Sequence, residues 1–599
     1  MTAPGIRLAP ENETVVATRG GGGPATAGEQ AHRASSAVGG GSANGGGGGG
    51  RRRYGGGGGG AVGGDWPGPP RTARRVAAWT FPIVSVALGI IALNYLGVGI
   101  GGLVAGFGEV VALLVRAWPP TLSDPATTFA HVLDTLWMAV AGTALATVLA
   151  AVLGVLAAGG QETGSSRKAV RSGALAVIVA CRAIPDVVFA VFFVAAIGIG
   201  PLPGVLALGL HSVGMLGKLF AEAVEGADTG VREAVAGTGA GRVQRLLAGV
   251  LPQVAPAWVA AILYRLDINF RGSVLLGAVG AGGIGLDLKT AFGFTDYQEA
   301  TGIALVTVTV VLLVEAVSVA LRGQLLGAGR GRGVPPVRGV RVPWTRGRVA
   351  AHLAGWGGLV LAAVAFWRVG ASPAALGEAA AGSAQALGEF LPPDFEPVAD
   401  LLGEGLLETA AIALGATFLG TLAGIPLGLT AARAVAPNNG VRLAARGLLV
   451  GLRSIPDLLL VLMFVAAFGL MDGPVAGTLA LAVFTAALVA KLVADDAEEL
   501  RAGPREAVLS AGAGPVQELS VAVLGQLTPR LTGTALYALD VNLRAFFILG
   551  IVGAGELGYA LSQNIRALEY DVVTAIVLPV FVLVLAVEAI SSRLRSVLR

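Results

Sequence analysis

The sequence predicts an all-α integral membrane protein of about twelve transmembrane helices, arranged as two parallel six-helix repeats. Three observations predict it. Hydrophobic residues make up 54% of the 599 positions and charged residues only 13%, about half the charged share of a soluble domain, and the mean hydropathy is +0.74. Apolar stretches of roughly 20 residues recur, enough to cross a ~30 Å hydrocarbon core. The chain also repeats itself, at an offset running from 271 (Arg182 to Arg453) to 273 (Glu233 to Glu506). This composition excludes a soluble enzyme, and it excludes disorder except at the N-terminus. The single cysteine, Cys181, excludes a disulfide framework and a cysteine metal site. His32, His131, His211 and His352 are scattered, so no metal site is expected.

Residues 1–75 hold 24 of the 92 glycines, and nine arginines against four acids. Such a segment buries too little apolar surface to offset its ordering entropy. It reads as a solvated, disordered Gly/Arg-rich cytoplasmic tail, not a signal peptide, because the first apolar run begins near Val76. The first repeat, 76–322, has apolar runs near 76–98, 129–158, 172–198, 202–221, 255–278 and 301–321. The second, 349–599, has them near 349–369, 406–431, 444–470, 474–494, 530–553 and 572–592. The weaker stretches 100–117 and 374–391 read as interfacial or re-entrant pieces outside the membrane.

Arginine placement sets orientation. Arg322–Arg348 carries seven arginines and no acid, so the basic linker 323–348 is expected inside. The short loops with Arg167, Lys168 and Arg171, and with Arg433, Arg442 and Arg446, fall on the same side. Pro373–Glu408 carries seven acids and no base and is expected outside. Both termini are then cytoplasmic in a multi-pass cell-membrane protein, and the lipid bilayer is its surroundings.

The repeat is detailed. Arg182-Ala-Ile-Pro185-Asp186 matches Arg453-Ser-Ile-Pro456-Asp457, and Tyr264-x-Leu-Asp267-x-Asn269-x-Arg271 matches Tyr537-x-Leu-Asp540-x-Asn542-x-Arg544. Glu233–Pro256 matches Glu506–Pro529 at 13 of 24 positions. Parallel repeats of this kind imply a pseudo-two-fold axis along the membrane normal, with a pathway between the halves.

The hydrophilic loop before the fifth span carries the best functional signal. It reads Glu233-Ala234-Val-x-x-x-Gly239, then eleven residues, then Leu251-Pro252; the second copy reads Glu506-Ala507-Val-x-x-x-Gly512, with Leu524-Gly525 in place of Leu-Pro. Two short helices need a break between them; glycine tolerates the positive φ of a helix C-cap, and proline suits a first helical turn. This spacing resembles the EAA signature of ABC-importer permeases. Those strings, with Gly280-Ala-Gly-Gly-Ile-Gly285 and Pro392-Pro-Asp394-Phe, make almost everything after residue 75 similar to the phosphonate ABC-importer permease family, with two permease copies fused in tandem. The resemblance implies the type I ABC-importer (MetI-like) permease fold. It implies cytoplasmic ATPase subunits, two copies, docked on the two loops, and an extracytoplasmic solute-binding protein. ATP and Mg then belong to the partner ATPase, and this chain binds no cofactor. The substrate implied is a phosphonate or a related phosphorus oxyanion.

Ionised side chains inside hydrocarbon cost at least ~2.5–3.5 kcal/mol each and mark functional positions. Asp267 and Arg271, and Asp540 and Arg544, sit well inside the fifth span of each half, at an i,i+4 spacing that places acid and base on one face. They form either self-neutralised packing pairs or, with Asn269 and Asn542, the lining of a path that attracts an anion through guanidinium donors. Arg182, Pro185 and Asp186, with Arg453, Pro456 and Asp457, lie near the cytoplasmic end of the third span, where proline kinks the helix. They are candidate gate residues, with i,i+4 pairing of Arg182 and Asp186 expected.

Gly280-x-Gly-x-x-Gly285 and Gly553-x-Gly-x-x-Gly558 fit a dinucleotide fingerprint in form but follow a membrane helix and not a strand. No Gly-x-x-x-x-Gly-Lys-Ser/Thr occurs and no catalytic constellation is evident, so the chain is expected to be a permease and not an enzyme, with no nucleic-acid partner. The alternatives are an ABC permease for another small anion such as phosphate or phosphite, or a twelve-span secondary transporter.

Overall fold

The computed structural model describes residues 72–159, 165–327, 346–469 and 472–598. Most of the glycine-rich tail and most of the basic linker expected from the sequence lie outside the described residues. Every regular element described is a helix.

The first repeat runs α1 (Thr72–Tyr95), α2 (Ile100–Arg116), α3 (Pro125–Ala157), α4 (Ser165–Ala183), α5 (Asp186–Ile197), α6 (Pro201–Glu225), α7 (Thr229–Gly237), α8 (Arg242–Arg245), α9 (Leu251–Leu276), α10 (Ile284–Gly293) and α11 (Tyr297–Gly327). The second runs α12 (Arg346–Arg368), α13 (Pro373–Phe390), α14 (Ala399–Ala431), α15 (Asn439–Ser454), α16 (Asp457–Phe468), α17 (Gly473–Glu498), α18 (Ala502–Ser510), α19 (Pro515–Gln517), α20 (Leu524–Arg544), α21 (Phe546–Val552), α22 (Glu556–Ala567) and α23 (Tyr570–Leu598). Among the described residues, 8 segments are long and apolar enough to span a membrane, and up to 11 when each bent pair counts as one span. A shorter apolar helix runs Thr80–Tyr95.

The kink expected at the proline of the third span is a full break in both repeats, within 172–198 and 444–470. Each breaks at its Ile-Pro, with bends of 90° between α4 and α5 and 86° between α15 and α16. Proline carries no N–H and pushes the preceding residue out of the helical region. Ile455 accordingly sits at φ −79°, ψ 120°, and Pro185 and Pro456 stand just ahead of the new helices in extended conformation.

Within each repeat the longest packing seams are α3 with α6 and α14 with α17. Small residues permit the close approach. A Cβ added at Gly420, Gly424 or Gly428 of α14 would fall 2.5 Å from Thr485 Cβ, 2.8 Å from the Ala486 carbonyl oxygen and 2.6 Å from the Ala490 carbonyl oxygen. These three stand one helical turn apart and form a smooth stripe against α17.

The repeats are interlaced. The first helix of each packs on the other half: α1 on α14, and α12 on α3. The second helices, in the stretches expected to be interfacial, follow them: α2 lies on α16, and α13 on α5 and α23. Gly106 of α2 faces the Phe468 ring, and Gly382 of α13 faces the Ala196 carbonyl. The largest buried apolar cluster accordingly draws on both halves, including Val187, Leu208, Leu276, Leu458, Leu481 and Phe547. Large apolar side chains such as Val148, Trp356, Trp367 and Leu422 stay exposed on the outer helix faces, which suits a lipid surround.

Replacing Gly424 by Leu forces α14 off α17. The expected outcome is a loss of about 1–3 kcal/mol or more, read as a lower thermal unfolding midpoint of the detergent-solubilised protein; an unchanged midpoint contradicts the seam.

Candidate functional site

The charged residues expected in the fifth spans form a belt between the repeats. In α9, Arg271 Nη2 lies 2.9 Å from Asp267 Oδ2, and in α20, Arg544 Nη2 lies 3.2 Å from Asp540 Oδ1. The i,i+4 spacing thus brings acid and base together in both halves. The pairs do not stand alone. Arg271 is also 3.9 Å from Glu315 of α11, whose other oxygen is 3.9 Å from Arg453 of the second repeat. Arg544 is 3.2 Å from Glu588 of α23, whose other oxygen is 3.1 Å from Arg182 of the first repeat. Arg544 also donates to the Arg182 carbonyl at 3.2 Å. Each glutamate therefore bridges a fifth-span arginine of its own half to a third-span arginine of the other.

The expected Arg182–Asp186 pair is not what the structure shows. The break at Pro185 ends the helical register between them, and Arg182 turns to Glu588. Asp186 opens α5 instead, where its carboxylate accepts from the Val187 amide at 3.0 Å. Asp457 is the first residue of α16 and lies within electrostatic reach of Arg271 and of Asp186. The two Ile-Pro breaks thus carry both aspartates into the belt.

Asn269 and Asn542 do different work from the arginines beside them. Asn269 is 0% exposed. Its amide donates to Thr143 Oγ1 at 2.9 Å and accepts from Ser212 Oγ at 3.0 Å. Asn542 donates to Thr417 and accepts from Thr485, both at 2.9 Å. Each asparagine clamps three helices, α3–α6–α9 or α14–α17–α20. Both ends of each amide are thus engaged by side chains of neighbouring helices.

The loops with the Glu-Ala-Val repeats have matching geometry. Gly239 and Gly512 sit at φ +78° and +83°, the left-handed region that glycine enters without a Cβ clash. They separate α7 from α8 and α18 from α19. Gln244 accepts from the Gly241 amide and Gln517 from the Gly514 amide, both at 2.9 Å. A turn of π-helix then leads into Leu251 or Leu524. Pro252 stands in the first turn of α9, and Gly525 takes its place in α20 with the helix start preserved. No residue of α7 or α18 is buried. Glu233, Ala234, Glu506 and Ala507 are exposed, beside the exposed apolar Val231, Val243, Leu509 and Val516. One difference stands out: Arg505 pairs with Glu518 at 2.6 Å, whereas the first loop has Arg245 at the matching position, with its buried Nε unpartnered. Among the described residues, no group of His, Cys, Asp and Glu could hold a metal ion.

The family model of binding-protein-dependent transport system inner membrane components matches residues 150–325 and again 424–598. The chain belongs to that family. It is a membrane transport component carrying the family's unit twice, in each case with the exposed loop and the fifth-span charges inside the matched residues. The phosphate-import permease protein PhnE of Mycolicibacterium smegmatis is 43% identical over 523 residues, 87% of this chain and 92% of that protein. The phosphite transport system permease protein PtxC of Stutzerimonas stutzeri is 41% identical over 242 residues, 40% of this chain and 87% of that protein. Among solved structures, a chain of the inward-facing MetNI methionine ABC transporter aligns with a TM-score of 0.30 at 25% identity, covering 34% of this chain and 99% of that one.

Sequence reasoning missed four members of the permease's belt. Glu315 and Glu588 sit 273 residues apart (588 − 315) in the last span of each repeat, both within Val-Glu-Ala, so the duplication held the signal. Arg265 and His211 have no such trace, because Ala538 and Phe484 stand at the matching positions. Arg265 is buried, with Nε donating to Ser212 Oγ at 2.8 Å, and the His211 ring meets the Ile184 carbonyl at 3.1 Å.

Asn542→Leu removes one clamp while leaving the belt charges in place. The expected outcome is a stability loss of about 1–2 kcal/mol, the scale of polar contacts between membrane helices, seen as a lower unfolding midpoint. The transport substrate preference of the protein that remains folded stays unchanged; a shifted preference would place Asn542 on the path.

Proposed function

We propose that the two repeats form the walls of a pathway through which an ATP-driven importer moves phosphonate, or a related phosphorus oxyanion such as phosphate or phosphite, into the cytoplasm. The observation that carries the reading is the pair of fifth-span arginines, Arg271 and Arg544, brought to the belt from opposite repeats and each held by carboxylates. A guanidinium offers a fork of donors that matches oxyanion geometry. Relatives named for phosphate import and phosphite transport support the same substrate class.

In this reading the exposed loops around Glu233–Gly239 and Glu506–Gly512 each receive one cytoplasmic ATPase subunit, two copies in all, and ATP and Mg stay on those partners. An extracytoplasmic solute-binding protein delivers the anion to the opposite face. The loops lie on the side of the arginine-rich segments, which the positive-inside rule assigns to the cytoplasm together with both termini. Arg182, Pro185, Asp186, Arg453, Pro456 and Asp457 form the gate: the spans break at the two prolines, and Arg182 and Arg453 tie each third span to the last span of the other repeat.

Uptake of radiolabelled phosphate, phosphite and methylphosphonate into proteoliposomes, with the ATPase and binding protein present, tests the proposal. Arg271→Met with Arg544→Met lowers uptake at least about tenfold, equivalent to about 1.4 kcal/mol, at normal insertion. Unchanged uptake sinks the role of the arginines. Independently, Glu233→Lys with Glu506→Lys reduces co-purification of the ATPase with the permease; full retention removes the loops as the docking points.

A further inference from the structure

We propose that Glu315 and Glu588 are exchangeable counter-ions that close the path, and that the oxyanion in transit takes their place on the arginines. The inference rests on the oxyanion-permease reading and goes beyond it by naming the residues that yield to the substrate.

The geometry has three parts. Each glutamate holds two guanidiniums from different repeats, one on each oxygen: Glu588 between Arg544 and Arg182, and Glu315 between Arg271 and Arg453. A phosphoryl oxyanion presents at least two charged oxygens to the same fork of donors, so it satisfies the arginines as the carboxylate does. Second, Arg271 Nε and Arg544 Nε are both buried without a hydrogen-bond partner, the same orphan in each half, and Asp267 Oδ1 and Glu315 Oε2 are orphaned beside the first. A buried donor left unmade is costly: the carboxylates beside Arg271 and Arg544 engage Nη2 and leave Nε unmet, and an entering oxyanion offers that Nε an acceptor. Third, the belt holds five arginines (Arg182, Arg265, Arg271, Arg453, Arg544) against six carboxylates (Asp186, Asp267, Glu315, Asp457, Asp540, Glu588). A belt with surplus positive charge would trap a dianion. This belt, with one carboxylate in excess, holds it only while a glutamate is displaced and releases it when the glutamate returns.

Because each glutamate spans two repeats, displacing it also unties α23 from α4 or α11 from α15. Passage of the anion and parting of the halves become one event. The ties are unequal: Glu588 sits at 3.1 and 3.2 Å from its arginines, Glu315 at 3.9 Å from both. Glu315 therefore yields first, and Glu588 is the stronger closure.

The test uses the full chain reconstituted with its ATPase and binding protein in proteoliposomes loaded with radiolabelled inorganic phosphate, and reads leak without ATP beside ATP-driven uptake. Glu588→Gln raises the phosphate leak about tenfold, the loss of an interaction worth about 1.4 kcal/mol; Glu315→Gln raises it less, and the double variant most. Glu588→Asp, which keeps the charge on a side chain one methylene shorter, leaks more than wild type and less than Glu588→Gln. Arg182→Gln and Arg453→Gln cut the far end of each bridge while leaving the fifth-span pairs intact, and give the same leak should a glutamate variant not insert. A double glutamate variant as tight as wild type overturns the inference, as does a leak that admits neutral sucrose equally with phosphate. A wild-type complex that imports none of the three phosphorus oxyanions overturns the parent reading instead.

Discussion

An arginine in hydrocarbon is stable only where it meets a counter-charge, and the interior of this protein is organised around that requirement. Arg271 lies inside α9 and Arg544 closes α20, and each is neutralised twice, by the aspartate one turn before it and by a glutamate from the last span of its own repeat. The glutamates reach on to Arg453 and Arg182. The charge that the fifth spans import into the membrane is thus what draws the two repeats face to face. The Ile-Pro breaks stand at the same place, with Arg182 and Arg453 at the ends of the helices before the bends and Asp186 and Asp457 opening those after them.

Around this polar centre the packing is conventional for membrane helices. Hydrophobic association gains little where lipid is as apolar as the side chains, so close approach and interhelical hydrogen bonds hold the helices. The α14–α17 seam depends on glycines at 420, 424 and 428, and the asparagine clamps tie three helices on each side. The asparagines lie two residues from the arginines yet serve cohesion, while the arginines face the partner repeat. A helix turns successive residues by about 100°, and that rotation separates the two tasks.

Much of this was legible in the sequence. The helical class, the duplication and the exposed loops with their glycine breaks followed from composition, spacing and the matched strings, and the intrahelical Asp–Arg pairs followed from i,i+4 spacing. What spacing cannot reveal is contact between elements far apart in the chain. Arg182 was expected to pair with Asp186 four residues on and pairs with Glu588, 406 positions away. Asn269 likewise meets Thr143 and Ser212 on two other helices, contacts that no spacing within its own helix foretells. The exchange of first helices between repeats leaves no local trace either, because an apolar helix reads the same whichever surface it covers.

That exchange bears on how the molecule is made. As the ribosome delivers the first repeat, α1 enters the bilayer with its resting surface on α14 not yet synthesised, and α3 waits uncovered until α12 arrives. Neither half reaches its final form alone. Biogenesis must keep the early helix loosely held in lipid, or sheltered by an insertion factor, until the later surface appears, and a gene split at the linker would still yield two polypeptides obliged to braid.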